Sequence, residues 1–250
     1  MAGHSKWANI KHRKGAQDKK RSKIFTKLLK EVSVSAKEGG PDPDMNPRLR
    51  LAVTKAKKAS VPKDTIQRAI NKGSGADGTS YEEVTYEGYG PHGVAIFVET
   101  LTDNTNRTIA NVRLAFSKGG GSVGVNGSVG YMFERKGIFT LTREDLPIDG
   151  DDLELELIEG GAEEIEVEGE LIVVTCPIED YGTLNSKIEE LQIEDFDATL
   201  SRIPNITVSL DVAAAQKVLK LIDKLEDDDD VQEVFHNLEM TDELMAALTA

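Results

Sequence analysis

Between Lys6 and Lys30 the chain carries ten Lys/Arg residues against a single acid, Asp18. Cations at that density suit a phosphate backbone, because each Lys or Arg placed on nucleic acid releases condensed counterions. Trp7, the only tryptophan, and His12 lie among them, and a flat ring in such a setting can stack on a base. The plainer alternative is a solvated basic tail with Trp7 tucked against neighbouring helices. An anionic membrane surface is a third partner for a basic amphipathic helix. The apolar residues Ile24, Phe25, Leu28, Leu29 and Val32 are better used in helix packing, so no membrane partner is expected.

The net charge of −14 hides this segment. Residues 1–75 hold 19 Lys/Arg against 6 Asp/Glu, a balance of +13, and the remainder holds 11 against 38, a balance of −27. A basic module on an acidic body points to a targeted polyanion binder rather than a general coating protein. The start lacks the apolar core of a secretory signal and the Arg/Ser bias of a transit peptide, so it reads as mature protein. The lone Cys176 cannot form an internal disulfide, which fits a reducing compartment, and the expected location is the cytoplasm.

Catalysis finds little support. His4, His12, His92 and His236 are scattered, and Cys176 precedes Pro177 outside any nucleophile motif. The acidic stretches 151–170 and Glu226–Asp230 lack calcium-loop spacing and read as a solvated face and a polar turn. "GGGSVG" (Gly119–Gly124) formally satisfies a dinucleotide fingerprint, but a helix precedes it and a strand follows, the reverse of what that site needs. It reads as a mobile connecting loop with left-handed backbone positions. In "TDNTNRT" (Thr102–Thr108) the small polar residues are ordinary helix caps. A minority reading makes Asn104, Asn106 and Arg107 part of a cleft, and an enzyme with an inter-domain cleft site is the corresponding low-weight alternative. No cofactor and no metal is called for.

These side chains must be positioned by elements whose pattern changes along the chain. Apolar residues at helical spacing predict a helix over Ser22–Lys37, ended by "GGPDPDMNP". Asn46 and Pro47 supply a cap and a first-turn proline for a second helix that stops before Val61. A third starts near Pro62 and ends at Gly73. Up to Arg21 the segment then reads as a cationic arm, anchored by Ile24 and Phe25. After a Gly-rich linker, residues 81–90 and 93–101 predict two strands, residues 106–120 a helix and "GSVGYMFERKG" a third strand. The next elements, from "IFTLTRE" to "DFDATLSRI", read strand, helix, strand, strand, helix, strand, which is the ferredoxin-like order. A final helix and strand over 208–239 lack a unit of their own and would complete the earlier one. The expected class is α+β: an N-terminal three-helix bundle over 1–75, then two ferredoxin-like α/β domains. One is discontinuous over 81–136 and 205–240, and the other, 137–204, is inserted in it.

The blocks "MAGHSKWANIKHRK", "KIFTKLLKEV", "VPKDTIQRAINKG", "YEGYGPHGVAIFVETLTDNTNRT" and "GSVGYMF" together resemble the YebC/PmpR family. One departure is Gly119, where many members carry histidine. The resemblance implies a helical domain followed by two α/β domains around a cleft. It also implies a cytoplasmic, DNA-binding regulator of transcription, or a translation factor that engages ribosomal RNA on the ribosome and helps stretches such as proline runs. Carried over by motif, the implied nucleic-acid contacts are His4, Lys6, Trp7, Lys11, His12, Arg13 and Lys14, then Lys19, Lys20 and Arg21. Lys55, Lys57, Lys58 and Lys63 form a second candidate surface. Lysines position a backbone without reading sequence, so the residues themselves lean toward RNA while the family label leans toward DNA.

Overall fold

The computed structural model describes residues 18–75, 80–143, 146, 148, 150–193 and 196–249. The first helix, α1, spans Asp18–Gly39, so it begins one turn before the expected Ser22. Lys19, Lys20 and Arg21 therefore sit on helical backbone rather than in an arm that precedes it. Helices α2 (Pro47–Lys58) and α3 (Lys63–Ser74) complete the bundle. Val32 and Ala36 of α1 pack with Leu49, Val53 and Ala56 of α2 and with Ile66 and Ile70 of α3. Phe25 joins this core at its edge, whereas Ile24 is 41% exposed and anchors nothing. Asn46 performs its predicted capping role: its side chain accepts from Leu49 N at 3.1 Å and donates to Ser35 O at 2.7 Å and Gly40 O at 2.9 Å. Gly73 has a different job from the one expected. The helix runs past it to Ser74, and a Cβ at Gly73 would lie 2.0 Å from Ser33 O, so the glycine lets α3 approach α1.

Strands β1 (Glu82–Tyr89) and β2 (Ala95–Thr102) form an antiparallel hairpin, and α4 (Thr105–Lys118) follows. The short strand β3 (Ser122–Val123) pairs with Gly88 and Tyr89 of β1. Part of the Gly-rich segment is thus a bonded edge strand and not a mobile loop, although Gly120 does take the left-handed φ of +78°.

The element expected to be that third strand lies elsewhere. "FERKG" and "IFTLT" fuse into one strand, β4 (Phe133–Thr142), which pairs with β6 (Leu171–Pro177) and β7 (Phe196–Pro204). Gly137 marks no break. A Cβ there would meet Cys176 Sγ and Tyr181 Cδ2 at 2.7 Å, so the strand passes unbroken beneath a close neighbour. With β5 (Glu164–Glu168) and the helices α5 (Gly150–Glu159) and α6 (Tyr181–Glu190), the sheet order is β5-β6-β4-β7. All of its pairs are antiparallel, which is the ferredoxin-like arrangement. Its core holds Phe139, Leu141, Leu157, Val174, Leu184 and Ile188.

Helix α7 (Val212–Glu226) and strand β8 (Val231–His236) return to the first sheet, where β8 pairs with β2. That sheet has the order β3-β1-β2-β8. It matches the second in strand and helix content but differs in connectivity: the hairpin is central, and each helix leads into an edge strand. A last helix, α8 (Asp242–Thr249), was not anticipated by the sequence pattern. The chain divides into two compact units. One contains the bundle and first sheet, up to Gly130 and again from Val208, and the other is Tyr131–Thr207. The division falls before β4 rather than at residue 136, because β4 is a single strand.

Candidate nucleic-acid interface

Of the sequence-derived contacts, His4, Lys6, Trp7, Lys11, His12, Arg13 and Lys14 lie outside the described residues. Lys19, Lys20 and Arg21 are placed on the first turn of α1, while the side-chain description begins at Ser22. Lys57 and Lys58 are exposed on the last turn of α2, Lys55 is half-buried there, and Lys63 is exposed at the start of α3. The connection Ala59–Pro62 brings Lys57, Lys58 and Lys63 to one corner of the bundle. Cations on a last turn also complement the negative end of the helix dipole. That corner is rich in lysine: α2 carries neither Asn nor Gln after its cap, its two arginines lie in its first turn, and Gln67 of α3 donates to Asn71 at 3.1 Å.

The lysines nearer the middle of α1 have another destination. Lys23 Nζ donates to Asp227 O and Asp227 Oδ1, both at 2.9 Å. Lys27 Nζ donates to Glu226 O at 2.8 Å, and Lys30 Nζ to Asp229 O and Asp230 Oδ1 at 2.8 Å. These residues recur at four and three along α1 and so share one helical face. Two of the accepting carbonyls, those of Glu226 and Asp227, terminate α7, where orphan C=O groups carry partial negative charge. The acidic turn is therefore an acceptor cluster for this lysine row.

Asp230 is the centre of that cluster, with a side chain only 4% exposed. Its Oδ2 accepts from Arg107 Nη2 at 2.5 Å and Nε at 3.1 Å, from Thr108 Oγ1 at 2.9 Å and from Thr102 Oγ1 at 3.1 Å. Burial opposes the charge, but hydrogen bonds from Lys30, Arg107 and Thr108 outweigh it and hold the carboxyl down to about 2. The Arg107 guanidinium is raised by hydrogen bonds to Asp230 and then to Asp103. Asn104 caps α4 by accepting from Arg107 N at 3.0 Å, as the capping reading has it, while Asn106 is exposed on the first turn. Arg107 lines an open cleft of about 540 Å³ with Lys23, Lys30, Tyr81, Asn111 and the Asp227–Asp230 turn.

The cationic side chains lining this cleft pair with its carboxylates. Its one buried carboxylate is committed to two cations, and among the described residues no group of three or more His, Cys, Asp or Glu could hold a metal ion. Cys176 is buried in the second sheet's core, and burial pushes its thiol up to about 11, far from a reactive thiolate. No described helix is long and apolar enough to cross a membrane.

Two family profiles cover this architecture: the TACO1/YebC protein N-terminal domain matches residues 5–76, and the TACO1/YebC second and third domain matches residues 81–238. The chain belongs to the TACO1/YebC family. A TACO1/YebC relative from Bacillus licheniformis is 54% identical over 239 residues, covering 95% of this chain and 100% of its own. One from Amoebophilus asiaticus is 52% identical over 240 residues, covering 95% and 98%. Both are named as probable transcriptional regulatory proteins. The crystal structure of a conserved hypothetical protein from Aquifex aeolicus superposes with a TM-score of 0.80 at 41% identity, covering 91% of this chain and 93% of that one. The two profiles part between residues 76 and 81, where the bundle gives way to β1.

What sequence reasoning missed in this TACO1/YebC chain is the pairing of its own charges. In the sequence Lys23, Lys27 and Lys30 belong to the basic run of residues 6–30, and Glu226–Asp230 reads as a polar turn. Some 200 residues separate them, and no local pattern couples one to the other.

Proposed function

We propose that this protein is a non-enzymatic, nucleic-acid-binding regulator of gene expression. The observation that carries the reading is the +13 balance of residues 1–75, of which the Lys57–Lys58–Lys63 corner stays exposed, in a chain otherwise at −27. The names of the relatives point to transcription and hence to DNA. His4, Lys6, Trp7, Lys11, His12, Arg13 and Lys14 would extend the basic surface from the N-terminal side. The engagement of Asn104 in capping and of Arg107 with Asp230 supports a structural role for the cleft.

A second reading, ribosomal RNA as the partner in translation, is favoured by the Lys-rich corner of the bundle. Lysines hold phosphates in place, and single-stranded or structured RNA is bound by shape more readily than a duplex is read by such a surface.

Sedimentation through a salt series separates the two. The native chain is mixed with ribosomes and, separately, with duplex DNA. Preference for one promoter over random duplex, without ribosome pelleting, is the transcriptional result. Pelleting with ribosomes near physiological salt, lost on removing residues 1–21, is the translational one. Binding to neither at low salt overturns the proposal.

A further inference from the structure

Lys23, Lys27 and Lys30 share helix α1 with the basic residues of its first turn, yet they are occupied by the protein's own acceptors. The occupant mimics a nucleic-acid strand in chemistry. It presents carboxylate and carbonyl oxygens at 2.8–2.9 Å from three successive ammonium groups, at the negative end of a helix dipole. The grip is graded. At the inner end the Lys30–Asp230 pair has side chains 13% and 4% exposed, and Arg107, Thr108 and Thr102 also hold that carboxylate. At the outer end the Lys23–Asp227 pair is 41% and 68% exposed. Exposed pairs of that kind carry little net stability and are screened by salt. The outer end is therefore the part that a competing polyanion can displace.

We infer that the Glu226–Asp230 turn is an internal stand-in for phosphate, which withholds Lys23 and Lys27 from a nucleic acid while Lys30–Asp230 serves as the fixed end. The inference rests on the polyanion-binding reading of residues 1–75. It adds a masked surface whose availability the protein itself controls. Displacing the turn adds two cationic contacts, each of which should steepen the log–log salt dependence of duplex binding by about 0.9.

The test compares the full-length chain with the turn variant Asp227→Asn/Asp228→Asn/Asp229→Asn, which keeps Asp230 and every backbone carbonyl. A control variant, Asp151→Asn/Asp152→Asn/Glu154→Gln, removes the same charge from exposed positions on α5. Lys23→Ala/Lys27→Ala is placed in the native and turn-variant backgrounds. Fluorescence anisotropy with a labelled random-sequence DNA duplex and a labelled RNA hairpin gives affinity and salt slope. The turn variant should bind about tenfold tighter with a steeper slope, and the lysine changes should abolish that gain while moving native binding less than about twofold. An equal gain in the control variant overturns the inference, as does an equal effect of the lysine changes in both backgrounds. Acetylation rates read by mass spectrometry test the mask without any ligand: Lys23, whose partner carboxylate Asp227 the turn variant removes, should react more slowly than Lys57 and Lys63 in the native chain, and faster in the turn variant. Equal rates in the native chain overturn the mask alone, whereas a protected Lys23 with no binding by any variant overturns the polyanion reading and the inference with it.

Discussion

Lys30 Nζ lies 2.8 Å from Asp230 Oδ1, and the two side chains, 200 residues apart in sequence, are both largely buried. This pair joins the helical bundle to the first sheet, because Asp230 O also accepts from Leu101 N of β2 at 2.8 Å. Removing the carboxylate leaves Lys30 with only Asp229 O and Arg107 with only Asp103, whereas removing the lysine leaves Asp230 with Arg107 and two threonines. Asp230→Ala is expected to cost about 3–5 kcal/mol and Lys30→Met about 1–2 kcal/mol. Urea unfolding of the two variants checks the order, and equal losses would refute the asymmetry.

The same carboxylate sets an acid limit. Its folded value of about 2 lies below the unfolded 3.8, so its contribution is complete above pH 4 and is lost as pH falls from about 4 to about 2. The shift corresponds to about 2 kcal/mol. Unfolding free energy measured between pH 2 and 5 should fall less steeply with acidification in Asp230→Asn than in the native chain.

Asn46→Ala removes a cap and leaves the Ser35 carbonyl without its donor in a position where Asn46 is 4% exposed. A loss of about 2 kcal/mol is expected, and Asn46→Asp should recover the acceptor half of it. Thermal melts followed by circular dichroism report both.

Glu87, 5% exposed, accepts from three backbone amides: Gly127 N at 2.8 Å, Val129 N at 2.7 Å and Gly130 N at 2.7 Å. It pins the segment through which the chain leaves the first sheet. Glu87→Ala should cost about 3 kcal/mol. Hydrogen exchange should accelerate at Val129 and Gly130 while the β4–β6 amides keep their protection.

Gly73→Ala raises helix propensity by about 1 kcal/mol yet is expected to destabilise by about 2 kcal/mol net, because its Cβ would meet Ser33 O. A stabilised variant in urea titration would show that α1 and α3 can part at no cost.

Local chemistry made much of this legible. The Asn46–Pro47 start of α2, the hairpin strands β1 and β2, and the ferredoxin-like order of β4 to β7 are each written in spacing, caps and alternation within a dozen residues. Where the reading slipped, glycine was the reason. Gly73 and Gly137 look like terminators along the chain, and both are close-approach positions whose meaning comes from Ser33 and Cys176 across the fold. The early start of α1 was hidden because Asp18–Arg21 carries no apolar residue to mark a helical face.

Charge shows the same division. Composition by itself determined that residues 1–75 are a cationic module on an acidic body, since ionisation belongs to the side chain and needs no fold. Only the tertiary structure decided which cations are spent within the molecule. Lys23, Lys27 and Lys30 meet Glu226–Asp230 because α7 and β8 return to the first sheet after a whole ferredoxin-like unit. Whether a lysine faces a solvent ion, a phosphate or its own chain depends on distance and burial, and those are set by packing between segments that local sequence cannot connect.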